Sequence, residues 1–321
     1  MNNYTLNQHR TLRSVTVSSR SAYAIALVVL FASTIVFAST PQGTFERTLT
    51  VSGPVDLEVL TRSGDVTVRA GSSGSVFIRG KIYIGNHWLS GNRDADVHEI
   101  EQHPPIRQEG NSIHIEYVNM HNVSVDYEIS VPAQTAVRTR SGSGDQIVEG
   151  THGNVDTQTG SGDVKVSNLT GEIRLQTGSG NIRARQISGS VHGGTGSGDV
   201  EIEEASTGDI DMHTGSGNIK ARGVQGSFHG ETGSGDVTAE GTQNGTWDIR
   251  TGSGTVRVRL PANAALDADI STSSGSIDVG SPIEMTVQGR VESSRREIRG
   301  KVRGGGPLLR VHTGSGDIHI E

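Results

Sequence analysis

Asp163, Asp199 and Asp236 recur at one place in a repeated segment, and Asn181 and Asn218 hold the matching places between them. Repeated carboxylates could bind cations, hydrolyse glycosides or form turns. Calcium-binding nonapeptides, Gly-Gly-x-Gly-x-Asp-x-U-x, set their Asp two residues after the fourth-place Gly. With Gly162 in that place the position falls on Val164, and Asp163 comes one residue early, on the opposite face of a strand. For hydrolysis, two repeats separate successive Asp residues, about 9.6 Å at strand spacing. Retaining glycosidases need roughly 5–5.5 Å, and this separation sits at the edge of the inverting range. The turn reading is the simplest, because Asp and Asn side chains accept nearby backbone N–H groups.

Other groups are weighed in the same way. His192 and His229, with Asp211 and Asp248, are also two repeats apart, too far for one metal ion with bonds near 2 Å. Ser161, Ser179 and Ser197 lack a nucleophile elbow and any fixed His or Asp partner. Thr159, Thr177, Thr195, Thr214, Thr232 and Thr251 form a single row, which reads as a hydroxyl ladder capping a turn rather than a water-ordering face. The chain has no Cys, so thiolate metal sites, iron–sulfur ligation and a Cys nucleophile are excluded.

The repeat itself must position these residues. Gly-Ser-Gly begins at Gly142, Gly160, Gly178, Gly196, Gly215, Gly233 and Gly252, a period of 18 or 19 residues. Each unit splits into two halves with alternation such as Val164-Lys165-Val166, the period-two mark of a short strand with one buried face. The Gly-rich link is expected to supply positive φ. Two short strands and two turns make one coil of a flattened β-solenoid.

Stacking of coils can be tested column by column, because equivalent residues would lie about 4.8 Å apart. Arg185, Glu203, Arg222, Glu240 and Arg259 alternate in sign, as neighbours at that spacing should. Arg174, His192, Asp211, His229 and Asp248 form a second outward column. In the turn column Asp163, Asn181, Asp199, Asn218 and Asp236, each amide separates two carboxylates. Val164, Ile182, Val200, Ile219, Val237 and Val256 form an inward aliphatic column. Facing it, Ile173/Leu175, Ile210/Met212 and Trp247/Ile249 alternate with Val191/Gly193 and Phe228/Gly230, so large interdigitates with small.

Composition agrees. Of 321 residues 44 are Gly, only 32% are hydrophobic and 4% aromatic, which disfavours one large globular core. The net charge of −7 and the absence of a basic cluster on a basic module argue against nucleic acid. Residues 1–21 carry Arg10, Arg13 and Arg20 and no acid, and the apolar run Ala22–Ala38 ends in Val36-Phe37-Ala38. This reads as a signal peptide, favoured over a membrane anchor, so export to the periplasm, envelope or medium is expected.

Outside the array, strand patterns occur between 41 and 140, around Val55–Val59, Val66–Val68, Ser75–Ile84, Ile113–Ile115 and Val123–Val131. Gly85 to Gln108 reads as a loop, and no segment after residue 40 shows helical periodicity. Residues 268–279 read as a further coil, 284–303 as a charged hairpin-like insertion, and 307–320 as a last coil. Arg290, Arg295, Arg296, Arg299, Lys301 and Arg303 make that insertion the one basic patch, either a solvated cover of the solenoid end or a docking site.

The strands of type SGDV, Val131-Pro132, Leu260-Pro261, Ser271–Ile277 and the closing Gly304–Ile320 together resemble the bacterial putative-adhesin domain family. The resemblance implies an exported β-solenoid of the cell envelope with a strand-rich N-terminal cap, and it brings no catalytic residues to carry over.

The expectation is an all-β, single-domain β-solenoid (a parallel β-helix or β-roll) after a signal or anchor segment at 1–38. Its parts are a strand-rich region at 41–140, the regular array at 141–260 and C-terminal coils at 261–321. The expected function is a non-enzymatic, adhesin-like structural or multivalent binding surface without cofactor. An envelope polysaccharide or another envelope protein is the expected partner. Nucleic acid is not expected, and a membrane contact only through an uncleaved N-terminal segment. A β-helix carbohydrate-active enzyme and a calcium-binding repeat protein stand as alternatives.

Overall fold

The two strands of each repeat go to opposite sides of a flattened core. The computed structural model describes residues 40–71, 73–85, 93–204, 206–280, 285–286 and 296–321. The signal segment expected at 1–38, and Arg290 and Arg295 of the basic patch, lie outside the described residues. Among the described residues, one sheet has 13 strands and the other 14. In the first, Val164, Ile182, Val200, Ile219, Val237 and Val256 are successive parallel partners. In the second, Val155, Ile173, Val191, Ile210, Phe228 and Trp247 are aligned in the same way. The coils are therefore rungs stacked in register, each burying its apolar residues only against its neighbours.

Both columns are closed to solvent. Large and small side chains interlock across rungs. The Phe228 ring fills the space beside Gly230 that a Cβ would need, and meets Trp247 edge-on with centroids 6.0 Å apart. Trp247 Nε1 donates to the Gly226 carbonyl at 3.1 Å, which satisfies the one polar atom of that ring. Among the described residues, one inward place holds a carboxyl group. Leu169 and Ile187 are in-register partners, and the next partner is Glu204, buried with its Oε1 meeting no donor among the described residues. Burial lifts the Glu204 carboxyl to about 7, and Asp209 adds to the rise.

The expectation of positive φ in the links holds in part: Gly144, Gly171 and Gly189 adopt it, whereas the Gly-Ser-Gly glycines from Gly160 to Gly254 do not. They are needed for close approach instead: a Cβ at Gly180 would run into the carbonyl oxygen of Gly162 in the rung before. The threonine row caps the turn, as expected, and does so from an inward place at the strand end. Thr159, Thr177, Thr195, Thr214, Thr232 and Thr251 are buried. Each Oγ1 donates to a glycine carbonyl of the preceding rung, as Thr177 does to Gly162 at 2.9 Å and Thr195 to Gly180 at 2.9 Å. A buried hydroxyl needs such a partner, and the row staples one rung to the next.

Both ends of the stack depart from chain order. The coil Leu308–Ser315 with Ile318–Ile320, expected last, slots between the rung of Trp247 and the rung of Leu266–Ser274. At the other end, Val55–Ser63 and Val66–Ala70 lie against Thr135–Ser143 and Gln146–Glu149. Ser112–Ile115 and Val123–Val131 stack outside them. Antiparallel strands then cover exposed edges: Ser75–Ile84 and Gly43–Thr50 at one end, Glu297–Val302 at the other.

The stretch read as a loop holds a helix, Asp94–Gln102, and a strand, Ile106–Glu109. Nine residues with only Val97 and Ile100 buried give too short a pattern for periodicity to register. Asp94 and Asp96 stand in its first turn, where the helix dipole favours them. The Arg47 guanidinium donates to the Glu101 and Gln102 carbonyls at the other end, both at 3.0 Å. Glu101 in turn accepts the Thr44 N–H at 2.9 Å, which seats the helix on the edge strand.

Candidate functional site

The turn column is a continuous ladder of side chain to backbone bonds. Asp163 N–H donates to Asp145 Oδ1, Asn181 N–H to Asp163, Asp199 N–H to Asn181, Asn218 N–H to Asp199 and Asp236 N–H to Asn218, at 2.8–3.0 Å. It runs further than the repeat suggested, from Asp126 through Asp65 at one end to Thr255 at the other. Asp126 and Asp65 were not legible as members because 61 residues separate them in the chain. The Asn181 N–H, helped by the Lys165 ammonium, holds the Asp163 carboxyl below the usual carboxylate range. Every Oδ1 of this ladder accepts a backbone N–H of the next rung.

The alternating column is also in register: Arg185 faces Glu203, Glu203 faces Arg222, Arg222 faces Glu240, and Glu240 faces Arg259. Two of the ion pairs, however, are diagonal: Arg185 and Arg222 both reach Glu201, at 3.5 and 3.4 Å, whereas Arg259 pairs at 2.9 Å with Glu321, which continues the register of the adjoining rung. On the second sheet the Arg174–Asp248 column continues to both ends. Arg138 stands 3.7 Å from Glu58 and Arg310 stands 3.7 Å from Asp248 and 3.6 Å from Asp269.

Of the basic patch, Arg299 is paired with Asp269 and Glu297 at 3.1 and 2.9 Å. Arg296 donates to the Ser273 carbonyl and Arg303 to the Ala262 carbonyl. Lys301 points outward from the same antiparallel strand. The structure thus brings these groups to the end of the second sheet, bound to the rung they cover.

What opens a concave surface is a column that carries no regular sequence pattern. Arg140, Gln158, Gln176, Gly194 and His213 are successive partners on the outward face of the second sheet. With the first glycines of the neighbouring Gly-Ser-Gly turns they line a groove of about 640 Å³ across five rungs. Four steps of about 4.8 Å make it roughly 19 Å long. Its floor is glycine backbone, and its walls offer the Gln158 and Gln176 amides, Ser141 and the His213 ring, which lies over Gly194. Ser141 also lines a second hollow with Thr61, Arg62, Gly142 and Tyr117, and Tyr117 a third with Arg107 and His114. A shallow trough that spans five rungs fits an extended chain better than a compact molecule. No group of three or more His, Asp or Glu among the described residues is arranged to hold a metal ion.

Residues 2–192 and 158–321 each match the Toastrack DUF4097 family. The chain belongs to that family. The two Toastrack matches overlap at 158–192, within the most regular rungs. Among solved structures, the Toastrack chain is similar to a "putative lipid binding protein" from Parabacteroides distasonis ATCC 8503, at 12% identity. That similarity covers 88% of this chain and 99% of the other, with a TM-score of 0.46. A "putative adhesin" from Bacteroides fragilis NCTC 9343 shares 11% identity over 88% of this chain and 100% of the other, with a TM-score of 0.36. A "putative cell adhesion protein" from Clostridium sporogenes ATCC 15579 shares 15% identity over 86% and 98%, with a TM-score of 0.24. Comparison with curated proteins yields no match.

Proposed function

We propose that this Toastrack protein is a non-enzymatic, exported β-solenoid whose groove binds an extended polymer of the cell envelope, a polysaccharide in the first instance. The observation that carries the reading is the groove along Arg140, Gln158, Gln176, Gly194 and His213, which presents a polar side chain on four of its five rungs. A polymer laid across the rungs meets several of them at once, so weak contacts add within one ligand. The lining residues are glycine, hydroxyl, amide, Arg and His, with no pair of carboxylates at hydrolytic spacing. The apolar run Ala22–Ala38 after a basic start supports export.

The test is binding of the purified protein to a glycan array and to whole envelopes, with Gln158→Ala/Gln176→Ala as the variant. Retention on at least one polysaccharide, reduced in the double variant, is expected. Retention on none, or binding indifferent to both amides, would remove this reading.

A further inference from the structure

One end of the groove carries a cation that no described residue neutralises. Between Arg138 and Arg259, every arginine but one is in an ion pair. The exception is Arg140, which is exposed and whose guanidinium makes no ion pair or hydrogen bond among the described residues. Its in-register neighbours are Leu60 and Gln158, so neither adjoining rung sets a carboxylate opposite it. One rung further on, Arg62 lines the adjoining hollow, held by Asn119 at 3.1 Å. The wall of that hollow is Tyr117, the one exposed large hydrophobic side chain among the described residues, at 45%.

An exposed aromatic ring in one hollow, and in-register amides and an unpaired guanidinium in the adjoining groove, each match a different part of one ligand class. The ring covers the apolar face of a pyranose while its hydroxyl stays wet. The amides donate to and accept from sugar hydroxyls. The guanidinium fork matches a carboxylate with two parallel hydrogen bonds. We infer that the groove takes an extended glycan containing uronic acid sugars, with one ring on Tyr117 and a carboxylate on Arg140. This rests on the polymer-binding reading above and narrows it. From Tyr117 to His213 the path crosses six strand spacings, roughly 29 Å at about 4.8 Å each, the reach of a short oligosaccharide rather than of one sugar. The chain is acidic overall, with 28 basic and 35 acidic residues, so long-range attraction does not gather polyanions here. Selection falls to the local fork.

The experiment is titration calorimetry of the purified protein with oligouronates cut from alginate, against cellohexaose and polyglutamate. The variants are Arg140→Ala, Arg140→Lys, Tyr117→Ala and, on the other sheet, Arg185→Ala, each with its melting temperature measured. Oligouronate binding is expected to weaken about tenfold or more in Arg140→Ala and in Tyr117→Ala, with the melting temperature unchanged. Arg140→Lys should recover part of the loss, and Arg185→Ala should bind like the parent. Cellohexaose bound as tightly as oligouronate, with Arg140→Ala silent, overturns the uronate inference and leaves the polymer groove standing. Polyglutamate bound as tightly as oligouronate also overturns it, by showing charge without sugar. No binding to these probes or to any arrayed glycan fails both readings together.

Discussion

Asp163 Oδ1 accepts the backbone N–H of Asn181 at 2.9 Å, so a side chain of one rung closes the turn of the next. The same carboxylate takes Lys165 and Arg183 at 3.4 and 3.3 Å, and its proton affinity falls accordingly. Asp163→Ala should lose about 1–2 kcal/mol in urea unfolding, whereas Asp163→Asn, which keeps the acceptor, should lose less than half of that. Because the folded carboxyl is more acidic than the unfolded one, its contribution is present above the unfolded value near 4 and fades as pH falls through the folded value. Equal losses for the two substitutions at pH 7 would show that the acceptor is not what matters.

The occupied ladder also bears on calcium. Asp145, Asp163, Asp199 and Asp236 each give an Oδ1 to an amide of the next rung. A site whose ligands already bond to backbone is a poor cage for an ion that wants six to eight oxygens. Excess chelator should leave the melting temperature unchanged. A drop of several degrees that added calcium reverses would establish a calcium-driven fold.

The outward charges make a sharper prediction than their alternation alone. Glu203 faces Arg222 across the ladder, but the short contact is the diagonal one from Arg222 to Glu201, at 3.4 Å. A double-mutant cycle of Glu201→Ala with Arg222→Ala should show coupling of about 0.2–1 kcal/mol, the usual range for exposed pairs. The cycle of Glu203→Arg with Arg222→Glu should show less. Larger coupling at Glu203 would mean that the side chains obey register and not the diagonal reach.

The central rungs were readable because an 18-residue period places like on like, and Val164, Ile182 and Val200 could not all face inward in any other register. The end rungs were not. Leu309-Arg310-Val311 and Ala268-Asp269-Ile270 have the same inward alternation, so either could dock on Trp247-Asp248-Ile249. Arg310 between Asp248 and Asp269 satisfies both carboxylates, an order that only long-range pairing reveals. The groove column escaped for the opposite reason. Arg140, Gln158, Gln176, Gly194 and His213 stand on the outward face and are under no common packing constraint, so their types show no repeat that a sequence pattern could register.

Glu204 is the place where the stack should respond to pH. It follows Leu169 and Ile187 in an inward column, and its Oε2 accepts only the Gln225 N–H, at 3.4 Å. Burial raises its carboxyl from the unfolded value of 4.5 to about 7. A raised acid binds its proton more tightly when folded, so its contribution to stability is fully present below about 4.5. It is lost as pH rises through about 7, where the folded state must hold a buried charge. The loss is on the order of 2–3 kcal/mol by the size of the rise. Glu204→Gln should remove this component, and Glu204→Leu, which restores the aliphatic column, should raise the melting temperature at pH 8 more than at pH 5. Unfolding measured at both values decides it: parallel shifts of parent and variants between pH 5 and pH 8 would mean that Glu204 reaches water and stays ionised throughout.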